Sequence, residues 1–275
     1  MSCLSLEAIS QLGDGGLLKG VRQLIIVPSA ELHYLSFAAL IGQDERHRDE
    51  FLVQKYDISY APSASVWLRL SDGPPSRAHR VLALAPRSTE LPGSSDEVRG
   101  IGAVYGRQAT VLTGASATEE SLQSIANYDI LHLATYGVLN QQNPLFSFVQ
   151  LSRGERSDGR LEVHEVLGLP LRARLVVLSA CQTALASGTH ADVPAGEDWV
   201  GLVRAFLTAG AHNVIATLWP VEDRSTAKLM QQFHIRLQAG APEVSALSQS
   251  QRDALRNSAT SSPFFWAGFI LVGGP

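Results

Sequence analysis

The sequence predicts an α/β domain, a mostly parallel sheet flanked by helices on both faces. Three observations carry that prediction. Short runs rich in Val, Ile and Leu recur along the chain, each bounded by Pro, Gly or polar residues, as strands buried on both faces are. Helical patterns with start signals lie between them. The length, 275 residues, is enough for one large domain with a full core.

Taken in order, Gln23–Val27 reads as a buried strand and Tyr56–Ala61 as a peripheral one. Val81–Ala85 is the next buried strand. Ser94-Ser-Asp-Glu97 and Ser116-Ala-Thr-Glu119 both fit a capping box ahead of a helix. Ile130–Ala134, Leu175–Ser179 and Asn213–Leu218 complete the buried set, with Phe148–Ser152 as a second peripheral strand. Residues 197–209 put Trp199, Leu202, Val203, Phe206 and Leu207 on one helical face and stop at Gly210, a C-cap. Asp223 is the expected N-cap of a helix that aligns Thr226, Met230, Phe233 and Leu237, and another helix runs from Pro242 to Leu255. The run Phe264–Val272 is expected to be a last buried strand. Gly42–Asp49 and Ser71–Arg77 read as surface connections, because neither side of either one holds a complete sheet. One domain, 1–275, follows.

Composition removes several function classes. Apolar residues make up 45% and charged residues 17%, an ordinary globular balance that argues against disorder. Lys plus Arg (22) against Asp plus Glu (26) gives a net charge of −4. Nucleic acid as a direct ligand would call for a basic patch, and no Lys/Arg cluster is present. The two cysteines, Cys3 and Cys181, cannot build a disulfide framework. No basic-then-apolar leader opens the sequence, and no apolar run is long enough to span a bilayer. A reducing compartment, the cytoplasm, is the expected location, with no membrane partner.

Ligands in open α/β sheets sit beyond the carboxyl ends of strands. Three segments stand there: Ser29-Ala-Glu-Leu-His33, His132-Leu-Ala-Thr-Tyr136-Gly137 and Leu178-Ser-Ala-Cys181-Gln-Thr183. A thiol at a strand end can be activated by backbone amides or a cationic neighbour and act as a nucleophile. It can equally be a small buried hydrophobe. Ser179-Ala-Cys181-Gln182 partly matches the caspase-type nucleophile pattern, whose histidine lies about 50 residues upstream. Counting back 45 residues reaches Tyr136, in Thr135-Tyr136-Gly137.

The segments "LIIVPSAELHYLSFAAL", "DILHLATYGVLNQQNPLFSFVQLS", "DGRLEVHEVLGLPL", "LVVLSACQTALASG", "AGEDWVGLVRAFLTAGAHNVIATLWPVEDRSTAKLM" and "PFFWAGFILVGG" run nearly end to end and resemble the CHAT domain. That caspase-like family is often joined to tetratricopeptide repeats. The resemblance implies a caspase-like fold, the C-terminal part of a larger architecture, and similarity to cysteine endopeptidases that use a His–Cys dyad. It puts Cys181 at the nucleophile position. At the histidine position, before the glycine of "HLATHG", this sequence has Tyr136. A phenol, with a pKa of about 10, is neutral at pH 7 and supplies no imidazolium to hold a thiolate or protonate a leaving amine.

The expected function is therefore an impaired, protease-derived domain that binds a protein or peptide partner, tetratricopeptide repeats among the candidates. The alternative is an active cysteine peptidase in which His33 or His190 assists Cys181. His33 follows the first strand and, in a fully parallel sheet, would share the end of the sheet with Cys181. His190 lies in the stretch after Cys181, and His132 reads as a core histidine. Asp192, Glu197 and Asp198 follow Cys181 where a first specificity pocket would form, so they are candidates for selecting a basic side chain. Glu197 and Asp198 are also simply the acids that a helix dipole favours in a first turn. Phosphate-loop, dinucleotide, nucleophile-elbow and zinc-helix patterns are missing, so no cofactor and no metal is expected.

Overall fold

The computed structural model describes residues 18–43, 48–70, 80–140, 143–182 and 197–275, and only the backbone of 180–182 and 197–200. Twelve strands are seen among the described residues: β1 (Gln23–Ile26), β2 (Ile41–Gln43), β3 (Asp49–Phe51), β4 (Asp57–Tyr60), β5 (Val81–Ala85), β6 (Ala109–Thr113), β7 (Ile130–Val138), β8 (Phe148–Gln150), β9 (Arg160–Glu162), β10 (Leu175–Gln182), β11 (Asn213–Thr217) and β12 (Phe269–Gly273). The longer helices are α1 (Ala64–Leu70), α2 (Pro92–Tyr105), α3 (Glu197–Thr208), α4 (Asp223–Gln238) and α5 (Glu243–Arg256). Val81–Ala85, apolar throughout, and Asn213–Thr217, with Val214-Ile215-Ala216 at its centre, become central strands with every residue buried, because both their faces must be covered.

The main sheet has the order β1-β4-β12-β11-β10-β7-β5-β6, with β8 paired to β7 and β9 to β8. Along that path every neighbouring pair is parallel except β11–β12. That one antiparallel join divides the sheet into two halves. Strands β5, β6, β7, β10 and β11 run one way, and β1, β4 and β12 run the other.

Two layers of helix cover the sheet. On one face, α2 packs on β5, β6 and β7 and against α4, while α5 packs on α4 and β4. The ion pair of Arg252 on α5 with Asp57 on β4, at 2.8 Å, belongs to this face. Tyr60 alternates with Ser59 along β4, so it faces the opposite way, toward a cleft that Val203 and Arg204 of α3 also line. The core joins both layers. Trp266, Phe206, Phe233 and Phe269 are its largest fully buried side chains, and burying each contributes about 1.5–3 kcal/mol. Gly210 ends α3 with φ +116, and a Cβ there would collide with the Leu171 carbonyl oxygen. Only glycine fits that turn.

Several expectations are corrected. Tyr56–Ala61 is not peripheral: β4 pairs on both sides, and it is β1 that forms the sheet edge. Ile25 is accordingly 39% and Val27 51% exposed. Ser94–Glu97 lies inside α2, which starts at Pro92, and Glu97 is buried by a contact with another strand instead of capping. The Ser116 hydroxyl donates to the Thr113 carbonyl, and the helix that follows is a 3-10 turn over Glu119–Asn127. Glu222, whose carboxylate accepts from the Ser225 N–H, is the N-cap of α4 in place of Asp223. The terminal apolar run is split between a 3-10 turn at Pro263–Phe265 and β12. Gly42–Asp49 includes the ends of the β2–β3 hairpin, and Ser71–Arg77 lies outside the described residues.

Candidate active site

Strand β10 is longer than its apolar core, and so is β7. The first continues through Ala180-Cys181-Gln182 and the second through Thr135-Tyr136-Gly137-Val138. Their parallel register pairs Leu175 with Ile130 and continues step by step until Cys181 pairs with Tyr136 and Gln182 with Gly137. Neighbouring strands lie about 4.8 Å apart, so positions 181 and 136 are immediate neighbours at the carboxyl ends of both.

The β7 end is braced from its other side. Gly137 and Val138 pair with Val149 and Phe148 of β8. The Thr135 hydroxyl donates to the Gln150 carbonyl at 2.7 Å, and the Gln150 amide donates on to the Leu151 and Gly159 carbonyls, both at 2.8 Å. Tyr136 is half-buried on this fixed strand. Two residues before Cys181, the buried Ser179 hydroxyl has no hydrogen-bond partner among the described residues, so a polar group is kept dry beside the strand end.

Among the acids expected to line the site, Glu197 and Asp198 are the first two residues of α3. Asp192 and His190 lie outside the described residues. Among the described residues, no three His, Cys, Asp or Glu side chains are grouped to hold a metal, and no helix is long and apolar enough to cross a membrane.

His33 is placed elsewhere, which corrects the expectation that it shares the end of the sheet with Cys181. It sits in a short 3-10 turn after β1 and lines a cleft with Pro28, Tyr60, Ala61, Pro62, Val203, Arg204 and Val272. Tyr60 and Val272 are register partners, Val272 is opposite Val214, and Val214 is opposite Val176. The cleft is therefore level with Val176, five residues before Cys181 and about 17 Å back along the strand. The antiparallel join is the reason: β1 and β10 run in opposite directions.

His132, on the same strand as Tyr136, is the buried core histidine that was expected, and it joins a polar chain across α2 and α4 that sequence reasoning missed. The Glu97 carboxylate meets His132 Nε2 at 2.7 Å, His132 Nδ1 meets His234 Nε2 at 3.2 Å, and His234 Nδ1 meets the Tyr105 hydroxyl at 3.1 Å. All four side chains are buried. A carboxylate only accepts, so with both rings neutral the donors follow one direction. Tyr105 O–H gives to His234, His234 Nε2–H to His132, and His132 Nε2–H to Glu97. Burial and the neighbouring Glu243 push the Tyr105 phenol far above its ordinary pKa, against the pull of Arg174. It stays a donor.

The family model for the CHAT domain matches residues 6–274. The chain belongs to the CHAT domain family. Tetratricopeptide repeat protein 28 of Homo sapiens is 27% identical to this CHAT domain over 305 aligned residues, and its Mus musculus counterpart is 26% identical over 310. Each alignment covers 92% of the chain but only 12% of the relative, so the chain spans about an eighth of those proteins. In solved structures, the CHAT domain superposes on the Saccharomyces cerevisiae separase–securin complex with a TM-score of 0.63 at 16% identity, covering 92% of this chain and 15% of that one. On the Arg specific cysteine proteinase gingipain R the TM-score is 0.55 at 10% identity, covering 100% and 68%. Its fold is caspase-like.

Proposed function

We propose that this CHAT domain is a protease-derived module that binds a protein segment, with Cys181 at the nucleophile position and Tyr136 in place of the dyad histidine. The observation that supports this reading is the β7–β10 register, which sets positions 136 and 181 side by side at the strand ends. An imidazole there would stabilise a thiolate and then protonate a leaving amine. A neutral phenol offers one hydrogen bond and no positive charge. Without the imidazolium, a thiol keeps an ordinary pKa of about 8.5 and is only a few per cent ionised at neutral pH. Loss of acid–base assistance alone costs roughly 10²–10⁴ in rate. Recognition does not need that chemistry, so the paired strand ends of β7 and β10 keep a binding role, which Asp192, Glu197 and Asp198 would bias toward basic side chains. Tetratricopeptide repeats belong to the proposed partner set, in keeping with the relatives' name.

Alkylation kinetics test the reading. Tyr136→His should speed Cys181 labelling by iodoacetamide about fivefold near pH 6–7, because a larger thiolate fraction outweighs the lower nucleophilicity of a more acidic thiol. Adding Cys181→Ala should leave only the labelling of Cys3. A parent protein whose Cys181 already reacts as a low-pKa thiol near pH 6, and which cleaves peptide, would overturn the binding-module reading.

A further inference from the structure

Strand β1 is an edge of the main sheet, four strands from β10 and about 19 Å from it at the usual spacing. Its hydrogen bonds to β4 use alternate residues. The Arg22 carbonyl accepts from the Asp57 N–H at 2.9 Å and the Ile26 carbonyl from the Ala61 N–H at 2.8 Å, and the parallel register places Leu24 between them. The N–H and C=O groups of Gln23, Ile25 and Val27 therefore point away from the sheet. Among the described residues, no turn or loop backbone bonds to them.

The side chains of those three residues share one face. The Gln23 amide donates to the Ser59 hydroxyl at 3.3 Å, and Ser59 is on the α5 side of β4, where Asp57 pairs with Arg252. Ile25 and Val27 follow at the strand period of two, and both are exposed. The edge at the far end of the strand path differs, because Val111 and Leu112 of β6 are half-buried. Edges that stay unpaired are usually blunted by a charge, a proline or a bulge. β1 turns an amide, an isoleucine and a valine outward, and Pro28 comes only after them.

The surrounding charges say which strand fits. Lys19 and Arg22 precede the outward residues and Glu31 follows them; all three are exposed, and none has an ion-pair partner among the described residues. A segment that is basic at its start and acidic at its end is complementary to itself run backwards. A two-fold axis at Ile25 sets Ile25 against Ile25 and Gln23 against Val27. It also brings Lys19 and Arg22 of each copy toward Glu31 of the other. A parallel pairing would instead place like charges together. In the antiparallel arrangement each pair of outward residues exchanges two backbone hydrogen bonds, and the contact closes on itself as an isologous interface.

We propose that β1 is a self-association edge, which pairs antiparallel with β1 of a second copy about Ile25 and joins the two sheets into one. The backbone ladder and the cover gained by Ile25 and Val27 hold the copies together, while the charges fix direction and register. The contact is one short strand from each copy, so the dimer is weak, with a Kd of about 10–100 μM.

Sedimentation velocity on the whole chain, at about 50 mM salt to limit screening, is the test. The parent should pass from monomer to dimer with concentration and go no further. Ile25→Pro removes the central donor at a position where the N–H faces solvent, which a strand tolerates, and should weaken the dimer at least tenfold or so, about the loss of the whole central pair. Lys19→Glu and Glu31→Lys should each weaken it about fivefold, and the two combined should return it to within about twofold of the parent. Should Ile25→Pro lower Tm, the charge exchange decides alone, since it changes only exposed side chains. A parent that stays monomeric to about 500 μM, well above that Kd, overturns the proposal and leaves the edge to a strand of another protein. So does a dimer that a folded Ile25→Pro leaves intact, a combined charge change no better than either single one, or growth into larger open assemblies.

Discussion

Removing the acid from the buried polar chain tests how the central sheet is clamped to its helical layer. Glu97 is 2% exposed and accepts from His132, itself 0% exposed, at 2.7 Å. Glu97→Ala leaves the His132 N–H dry and unpaired, and the ring's other nitrogen is already engaged by His234. Hydrogen bonds to charged groups are worth about 1.5–3 kcal/mol, and a buried donor left without its acceptor costs about 1–3 kcal/mol. The upper range applies here, because α2 and α4 close the site and water cannot replace the lost acceptor. Glu97→Gln keeps an acceptor of the same shape and should cost about 1–2 kcal/mol. Replacing both partners, Glu97→Leu with His132→Leu, should cost less than the sum of the two single changes, because the Glu97–His132 bond is lost only once, while the His234 N–H loses its acceptor in His132→Leu and in the double change alike. Urea unfolding at neutral pH, compared at constant m, measures all five variants, both single leucine changes included. If Glu97→Ala costs under about 1 kcal/mol, or the double change is simply additive, the chain does not clamp the sheet and its hydrogen bonds are incidental.

Three other outcomes are expected. Phe206→Ala empties a fully buried site under α3 and should cost about 3–5 kcal/mol in the same unfolding assay; a cost near zero would refute the placement of α3. Gly210→Ala forces a Cβ against the Leu171 carbonyl at positive φ and should lower stability by at least about 1–2 kcal/mol, read as a drop in Tm. Glu120, which accepts from the Arg156 N–H and the Ser157 hydroxyl, has its carboxyl lowered to about 2. With the folded value below the unfolded one, its stabilisation is present above the ordinary carboxylate range and is lost as pH falls toward about 2. Glu120→Gln should therefore flatten the acid limb of Tm against pH, and an unchanged slope would show that those bonds carry no linkage.

How much the sequence revealed depended on whether a residue's environment was local. Val81–Ala85 and the Val214-Ile215-Ala216 centre of β11 were legible because a strand covered on both faces is apolar along most of its length. Cys181 and Tyr136 stood out because a short motif with a fixed spacing marks two strand ends. The direction of β1 was not legible, since a short, mostly apolar run does not say which way it enters the sheet; the reversal is set by β12 pairing with β4 and β11, more than 200 residues after β1. His33 was misplaced for that reason alone. Ser94–Glu97 misled differently. Its spacing is that of a cap, but Glu97 answers to His132, 35 residues away, a partner no local pattern announces.

The antiparallel join has a consequence for how the domain assembles. β12 is the last strand in sequence, yet it lies between β4 and β11 in the interior of the sheet. Until residues 269–273 are in place, the half built from β1 and β4 has no strand to connect it to the half built from β5 through β11. Such a topology cannot close progressively from its N-terminus during synthesis. It carries a long-range closure step, the kind that slows folding and leaves strand edges open meanwhile. A truncation before Phe269 would remove a keystone and not a fringe, and the product should behave as two unjoined half-sheets seeking other edges.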